Sequence, residues 1–176
     1  MENNGIIRRI DDLGRIVIPR EYRKLHGIDL GDPIEITALS GGEIMLKKVD
    51  TGGELIKNAR KIIGASELIF DGTLLVTDGE HWLWGRGENK VAFIDQPVTR
   101  WIKNAVKERE SLITPDGGEG EKVGVDARSG VVFIPAVSGG DCYGALCLIS
   151  QFAIPSEQAA LVSVLGKILG EYMNKY

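Results

Sequence analysis

The chain has little of what metal and cofactor enzymes are built on. Two cysteines and two histidines occur in 176 residues. No second cysteine pair or neighbouring histidine completes a ligand set around Cys142 and Cys147, so no metal site is expected. The two thiols lie five positions apart in a segment that reads as a strand. They are therefore expected on opposite faces, where no disulfide closes, as buried and reduced thiols. No apolar run approaches the ~18 residues that cross a bilayer, so no membrane partner is expected. The opening Met1-Glu2-Asn3-Asn4-Gly5 is polar and the apolar positions after it are broken by Arg8 and Arg9. That is unlike the unbroken apolar stretch of a secretory signal, and a cytoplasmic protein is expected. A Ser-His-Asp arrangement, a Gly-Lys-Ser/Thr phosphate loop, internal repeats and low-complexity tracts are all missing. The expectation is a protein that is not an enzyme and carries no cofactor.

What is present is an ordinary globular composition, 43% hydrophobic and 26% charged. A formal net charge of −4 argues against a nucleic-acid partner, but phosphate contacts require only a local basic surface. Between Arg8 and Lys24 the cations Arg8, Arg9, Arg15, Arg20, Arg23 and Lys24 face only Asp11, Asp12 and Glu21, a local excess of three. Arg20, Arg23 and Lys24 fall within one helical turn and share a face. Arginine grips phosphate bidentately and also reads guanine edges.

The pattern predicts β-β-α-β-β in the first fifty residues. Residues 6–10 and 15–18 read as strands around a turn at 11–14, where Gly14 supplies a positive φ. Pro19 opens a helix over 20–26 and Gly27 stops it. Ile34 and Ile36 alternate with Glu35 and Thr37 in a strand over 34–39, joined through Gly41-Gly42 to another over 43–48. A unit this short buries only about 60% of its unfolded surface and needs a staple or a partner. With neither cysteine nor metal ligands available, it is expected to share its core with a second copy.

Asp50-Thr51-Gly52-Gly53 reads as a linker. Beyond it the spacing predicts a helix over 54–64, a hairpin of 74–78 and 81–85, and a helix over 97–109. A Gly- and Glu-rich stretch, 115–124, reads as a mobile loop. Apolar strands over 130–138 and 142–150 follow, then a helix over 155–175 with a stripe of Ala160, Leu161, Val164, Leu165, Ile168, Leu169 and Tyr172. The element order predicts an α+β domain with an antiparallel sheet and helices on a single face. Trp82 and Trp84 are expected to share a strand face, as core residues or as the lining of an effector pocket.

The run Gly5-Ile6-Ile7-Arg8-Arg9-Ile10-Asp11-Asp12-Leu13-Gly14-Arg15-Ile16-Val17-Ile18-Pro19, continuing through Arg20-Glu21-Tyr22-Arg23-Lys24-Leu25, Gly31-Asp32-Pro33-Ile34-Glu35-Ile36 and Ile44-Met45-Leu46-Lys47-Lys48, resembles the AbrB/SpoVT family of transcription regulators. The resemblance implies an intertwined, barrel-like dimer of swapped hairpins over residues 1–50, rich in β structure. It also implies a GAF-like regulatory domain over 54–176, with fragments such as Leu75-Val76-Thr77-Asp78-Gly79 and Gly144-Ala145-Leu146-Cys147-Leu148. It assigns double-stranded DNA binding to Arg8, Arg9, Arg15, Arg23 and Lys24, to which Arg20 adds a sixth cation, and a sporulation or transition-state role. A homotetramer through the second domain and an unidentified small-molecule effector are further implications. The alternatives are an antitoxin-type autorepressor with a protein toxin partner, because similar DNA-binding domains occur there, and a GAF-like enzyme that reduces sulfoxides with cysteines.

Overall fold

Pro19 and Gly27 bracket a short helix, α1 (Arg20–Leu25), in the computed structural model of the protein, which describes residues 5–64 and 70–173. Gly27 ends α1 in the left-handed region at φ +59°, a conformation that costs glycine nothing. Two strands follow, β1 (Ile34–Ala38) and β2 (Ile44–Lys48). They pair antiparallel with Ile36 opposite Leu46, and the hairpin turns through Gly41 and Gly42, both at positive φ. Residues 6–10 and 15–18, predicted as strands, form none within the single chain. Their turn does close, since the Arg15 carbonyl accepts from the Asp11 N–H at 3.0 Å. A strand also needs a neighbouring ladder, and the described part of this unit supplies none beyond the turn. The chain divides into two compact units, one ending at Val49 and the other starting at Asp50.

The second unit opens on α2 (Thr51–Gly64). The sequence read residues 50–53 as a linker because of the paired glycines. Asp50 overrides them: its carboxylate accepts from the Gly53 N–H at 2.9 Å and its carbonyl from the Glu54 N–H at 3.0 Å, so the helix begins there. The strands β3 (Thr73–Thr77), β4 (Trp82–Arg86), β5 (Leu112–Thr114), β6 (Gly130–Ser138) and β7 (Asp141–Ser150) form one sheet in the order β4-β3-β7-β6-β5. Every neighbouring pair is antiparallel. The stretch 115–124, read as a mobile loop, is tied down instead. It holds a 3₁₀ turn, Gly120–Val123, whose Val123 is buried, and the Gly118 N–H donates to the Ala127 carbonyl at 2.7 Å.

Helices cover both faces of this sheet, not one. Leu74, Val76, Val132, Ile134, Leu146 and Leu148 meet α2 and α4 (Ser156–Met173) on one side. Leu75, Val131, Phe133, Ala145, Cys147 and Ile149 meet α3 (Arg100–Glu108) on the other. Consecutive apolar residues in β3, β6 and β7 cannot be satisfied by a single covered face. The side of α4 that enters the core shares Leu165 and Leu169 with the predicted stripe, and Leu161 packs against it, but the rest of that stripe faces away. Ala159, Val162, Leu165, Gly166, Leu169, Gly170 and Met173 are buried, while Val164, Ile168 and Tyr172 stand exposed. Gly166 and Gly170 decide this. A Cβ on Gly166 would lie 2.6 Å from Ile134 Cγ2 and one on Gly170 2.5 Å from the Val137 nitrogen, so the helix lies against β6 on its smallest residues. Residues 174–175, the predicted end of this helix, lie outside the described residues.

Candidate nucleic-acid interface

The six cations picked out by charge density sit on three pieces of local structure. Arg20, Arg23 and Lys24 lie on α1 at i, i+3 and i+4, hence on one face. Arg20 and Lys24 are exposed, and Arg23 is half-buried. The Nε of Arg23 is shielded from solvent and has no hydrogen-bond partner among the described residues. Arg8 and Arg9 are exposed on the extended segment before the turn, with Arg8 Nη1 donating to the Ile7 carbonyl at 3.2 Å.

Arg15 stands where the chain leaves the 11–14 turn, and Asp11 organises it. The Asp11 Oδ1 accepts from the Leu13 N–H at 3.0 Å and from the Arg15 N–H at 2.8 Å. Its Oδ2 accepts from Arg15 Nε at 2.8 Å. The backbone hydrogen bond from Arg15, followed by its side-chain bond, holds this carboxyl below its ordinary value. Among the described residues, Arg15 is the one member of the six in an ion pair, and its side chain stays 70% exposed.

Sequence reasoning missed a second organising contact. Lys48 Nζ, at the end of β2, donates to the Gly27 carbonyl at 2.5 Å and pairs with the Asp32 carboxylate at 2.7 Å. The same carboxylate accepts from the Asp29 N–H. The Lys48 hydrogen bond depresses the Asp32 pKa. This clamp fastens the C-terminal end of α1 to the hairpin and so fixes the helix that carries three of the cations. The turn sequence Gly31-Asp32-Pro33 was its visible signal, though it named no partner.

In the second unit two expectations are corrected. Trp82 and Trp84 do not share a face. Trp82 packs in the core under α3, and Trp84 packs against the core under α2 and α4. The register shifts by one between Val76 and Thr77, so Thr77 opposes Trp82 and Val76 opposes Trp84. The extra residue, Leu83, is a bulge that turns the strand's alternation over. The two indoles therefore face different cores and do not meet on one side of the sheet. An open cleft of about 1110 Å³ lies at the other end of this strand pair, lined by Phe70, Phe93, Asp126, Arg128 and Phe152 among others.

The same device corrects the cysteines. Cys147 belongs to the core under α3 and Cys142 packs against that core too. A one-residue shift between Pro135 and Val137 brings Cys142 opposite Val137 and puts both thiols on one side of the sheet. Five residues of strand still separate them by about 16 Å, well beyond disulfide reach. Burial raises both thiol pKa values.

Residues 7–54 match the family described as antidote-toxin recognition MazE, bacterial antitoxin. The chain is 31% identical over 153 residues to stage V sporulation protein T of Bacillus subtilis (strain 168), covering 86% of each. The chain belongs to the family of stage V sporulation protein T. It is also 46% identical over 48 residues to the transition state regulatory protein AbrB of the same organism, spanning 27% of this chain and about half, 49%, of AbrB. Among solved structures the chain is similar to the GAF-B domain of DevS from Mycobacterium smegmatis, at 14% identity and a TM-score of 0.48, covering 70% of this chain and 93% of that one. Among this SpoVT-family chain's described residues, no helix is long and apolar enough to cross a membrane, and no group of three potential ligands gathers for a metal.

Proposed function

We propose that the protein is a cytoplasmic transcription regulator of the sporulation or transition-state type that binds double-stranded DNA as an intertwined dimer. The observation that carries this reading is burial. From Gly5 to Val49 not one residue is buried, although Ile7, Ile10, Leu13, Val17, Leu30 and Ile36 are large and apolar. Apolar surface of that extent is the mark of an interaction site. A second copy of the same unit covers it by pairing the extended segments 6–10 and 15–18 across the two chains, which supplies the missing ladder. The shared core then displays Arg8, Arg9, Arg15, Arg20, Arg23 and Lys24 twice over on one two-fold surface. The names of the relatives, a sporulation protein and a transition state regulator, point the same way.

The second unit is, in this reading, a GAF-like regulatory domain. The exposed stripe of Val164, Ile168 and Tyr172 on α4 joins two dimers into a tetramer, and the cleft beside Arg128 is the candidate site of a small-molecule effector.

Sedimentation and fluorescence anisotropy test the reading together. The full chain should sediment as a dimer or tetramer. If a dimer neutralises ~6–10 phosphates, its DNA affinity should fall with a log–log salt slope of about −5 to −9. Arg15→Ala should remove specific binding while leaving the assembly intact. A monomer at micromolar concentration, or a flat salt response, overturns the proposal. The family match at residues 7–54 favours an antitoxin as the second reading; co-purification of a small toxin with the full chain would bring it forward. A sulfoxide-reducing enzyme is disfavoured because it needs an accessible thiol of lowered pKa, and both thiols here are shifted upward by burial.

A further inference from the structure

A carboxylate in the middle of a DNA-facing surface weakens attraction for phosphate, so its presence there needs a compensating role. Asp11 is placed to have one. Its Oδ1 is fixed by two backbone donors, the N–H groups of Leu13 and Arg15, at 3.0 and 2.8 Å. Those contacts leave Oδ2 as a stationary acceptor, and it takes the Nε–H of Arg15 at 2.8 Å. A guanidinium held this way presents its far edge. Nη1 and Nη2 of Arg15 make no hydrogen bond to a described residue, and the side chain projects into solvent. These are the two nitrogens a guanidinium uses for a fork-shaped contact with the O6 and N7 of guanine.

We propose that Asp11 is a positioning residue: by anchoring Arg15 through Nε alone, it aims the two terminal nitrogens at a base edge and converts a phosphate-seeking cation into a sequence reader. Without the anchor, the long arginine side chain samples many rotamers and reaches phosphates on either side. With it, the rotamer entropy is given up before DNA arrives. The inference rests on the DNA-binding reading above and sharpens it, because it predicts opposite effects on specific and non-specific binding. Removing the negative charge strengthens attraction to any duplex, whereas losing the anchor weakens recognition of the preferred one.

Asp11→Asn separates the two roles. Its amide oxygen still accepts from the Leu13 and Arg15 N–H groups, and its NH₂ group replaces the acceptor for Nε. The probes are a duplex enriched by the wild-type full-length protein from a random-sequence pool, and the unselected pool itself. Asp11→Asn should bind the enriched duplex about 5- to 10-fold more weakly, a fraction of the discrimination that one bidentate base contact supplies, and the pool about 2-fold more tightly. In an Arg15→Ala background the same substitution should no longer weaken binding to the enriched duplex and should only tighten it about 2-fold, as on the pool. Should Asp11→Asn lose the folded assembly by sedimentation, Asp11→Ser, whose hydroxyl also closes such turns, takes its place in the same cycle. Additive effects of the two substitutions, or a parallel loss on enriched duplex and pool, overturn the role of Asp11 alone. A wild-type protein that enriches no duplex overturns the DNA-binding reading and this inference with it.

Discussion

Up to Val49 every described residue keeps contact with solvent, whereas from Leu55 onward apolar side chains on both sheet faces are sealed off almost completely. The two units are built from similarly apolar sequence, so composition does not account for the contrast. The second unit has enough elements to cover a sheet on both sides from within its own chain. The first has one hairpin, one helix of six residues and two extended segments, too few to enclose anything. Small domains run into this limit because too much of their surface remains on the outside. The contrast is one of element number: the first unit leaves its apolar residues uncovered throughout, whereas the second leaves them exposed only at scattered positions outside its two cores.

The sharpest way to break that comparison is to put a charge on an exposed apolar residue in each unit. Ile36 is 69% exposed and Val91 is 79% exposed. Ile36→Asp should cost the assembly at least about 3 kcal/mol, the scale of an uncompensated charge driven into a core, and dissociate it in sedimentation. Val91→Asp should shift stability by no more than about 0.5 kcal/mol in a denaturant titration. Equal, small effects would show that the first unit's apolar surface is ordinary.

A smaller contrast concerns glycine. Gly144 sits in the bulged part of β7 at φ +142°, where a Cβ would lie 2.1 Å from the Thr77 carbonyl oxygen. Gly144→Ala should therefore lower the stability of the second unit by about 3 kcal/mol, through both overpacking and an unfavourable backbone. Gly41 in the first unit has φ +102° but open space around it. Gly41→Ala should cost only about 1–2 kcal/mol, the conformational part alone. Thermal melts of the two variants measure the difference.

The smallest effect is electrostatic and lies in the second unit. Arg128 holds the Asp126 carboxyl at about 2, below the ordinary carboxylate value of about 3.9. The pair's stabilisation is thus present above about pH 4 and fades as pH falls through about 2. Both side chains are exposed, so the contribution is slight. Comparing acid titrations of the wild type and Asp126→Asn, followed by far-UV circular dichroism, should show a small displacement confined to that window.

How much of this was legible in sequence depended on the range of the interaction involved. Local signals were read correctly where one or two residues act on their own backbone: Pro19 and Gly27 around α1, Gly41-Gly42 in the hairpin, alternation in β1. Reading failed wherever a contact from elsewhere reset a local pattern. Bulges at Leu83 and near Gly144 inverted the alternation that had paired Trp82 with Trp84 and set Cys142 against Cys147. On α4 the large apolar residues drew attention to a stripe, while the glycines that mark the true contact carry no hydrophobic signal. The basic cluster was visible as charge density, but the carboxylate that organises Arg15 had been counted only as a charge against it.

By itself, the sequence determined where helices and turns begin, that residues 8–24 carry an excess of positive charge, and that the first fifty residues cannot enclose a core. These follow from properties of single residues and their near neighbours. Tertiary structure alone decided that helices cover both sheet faces, which side of α4 faces inward, and that Lys48 ties the end of α1 to the hairpin. Each of these depends on contacts between residues distant in the chain, where close packing and hydrogen-bond geometry choose among arrangements that local pattern leaves equal.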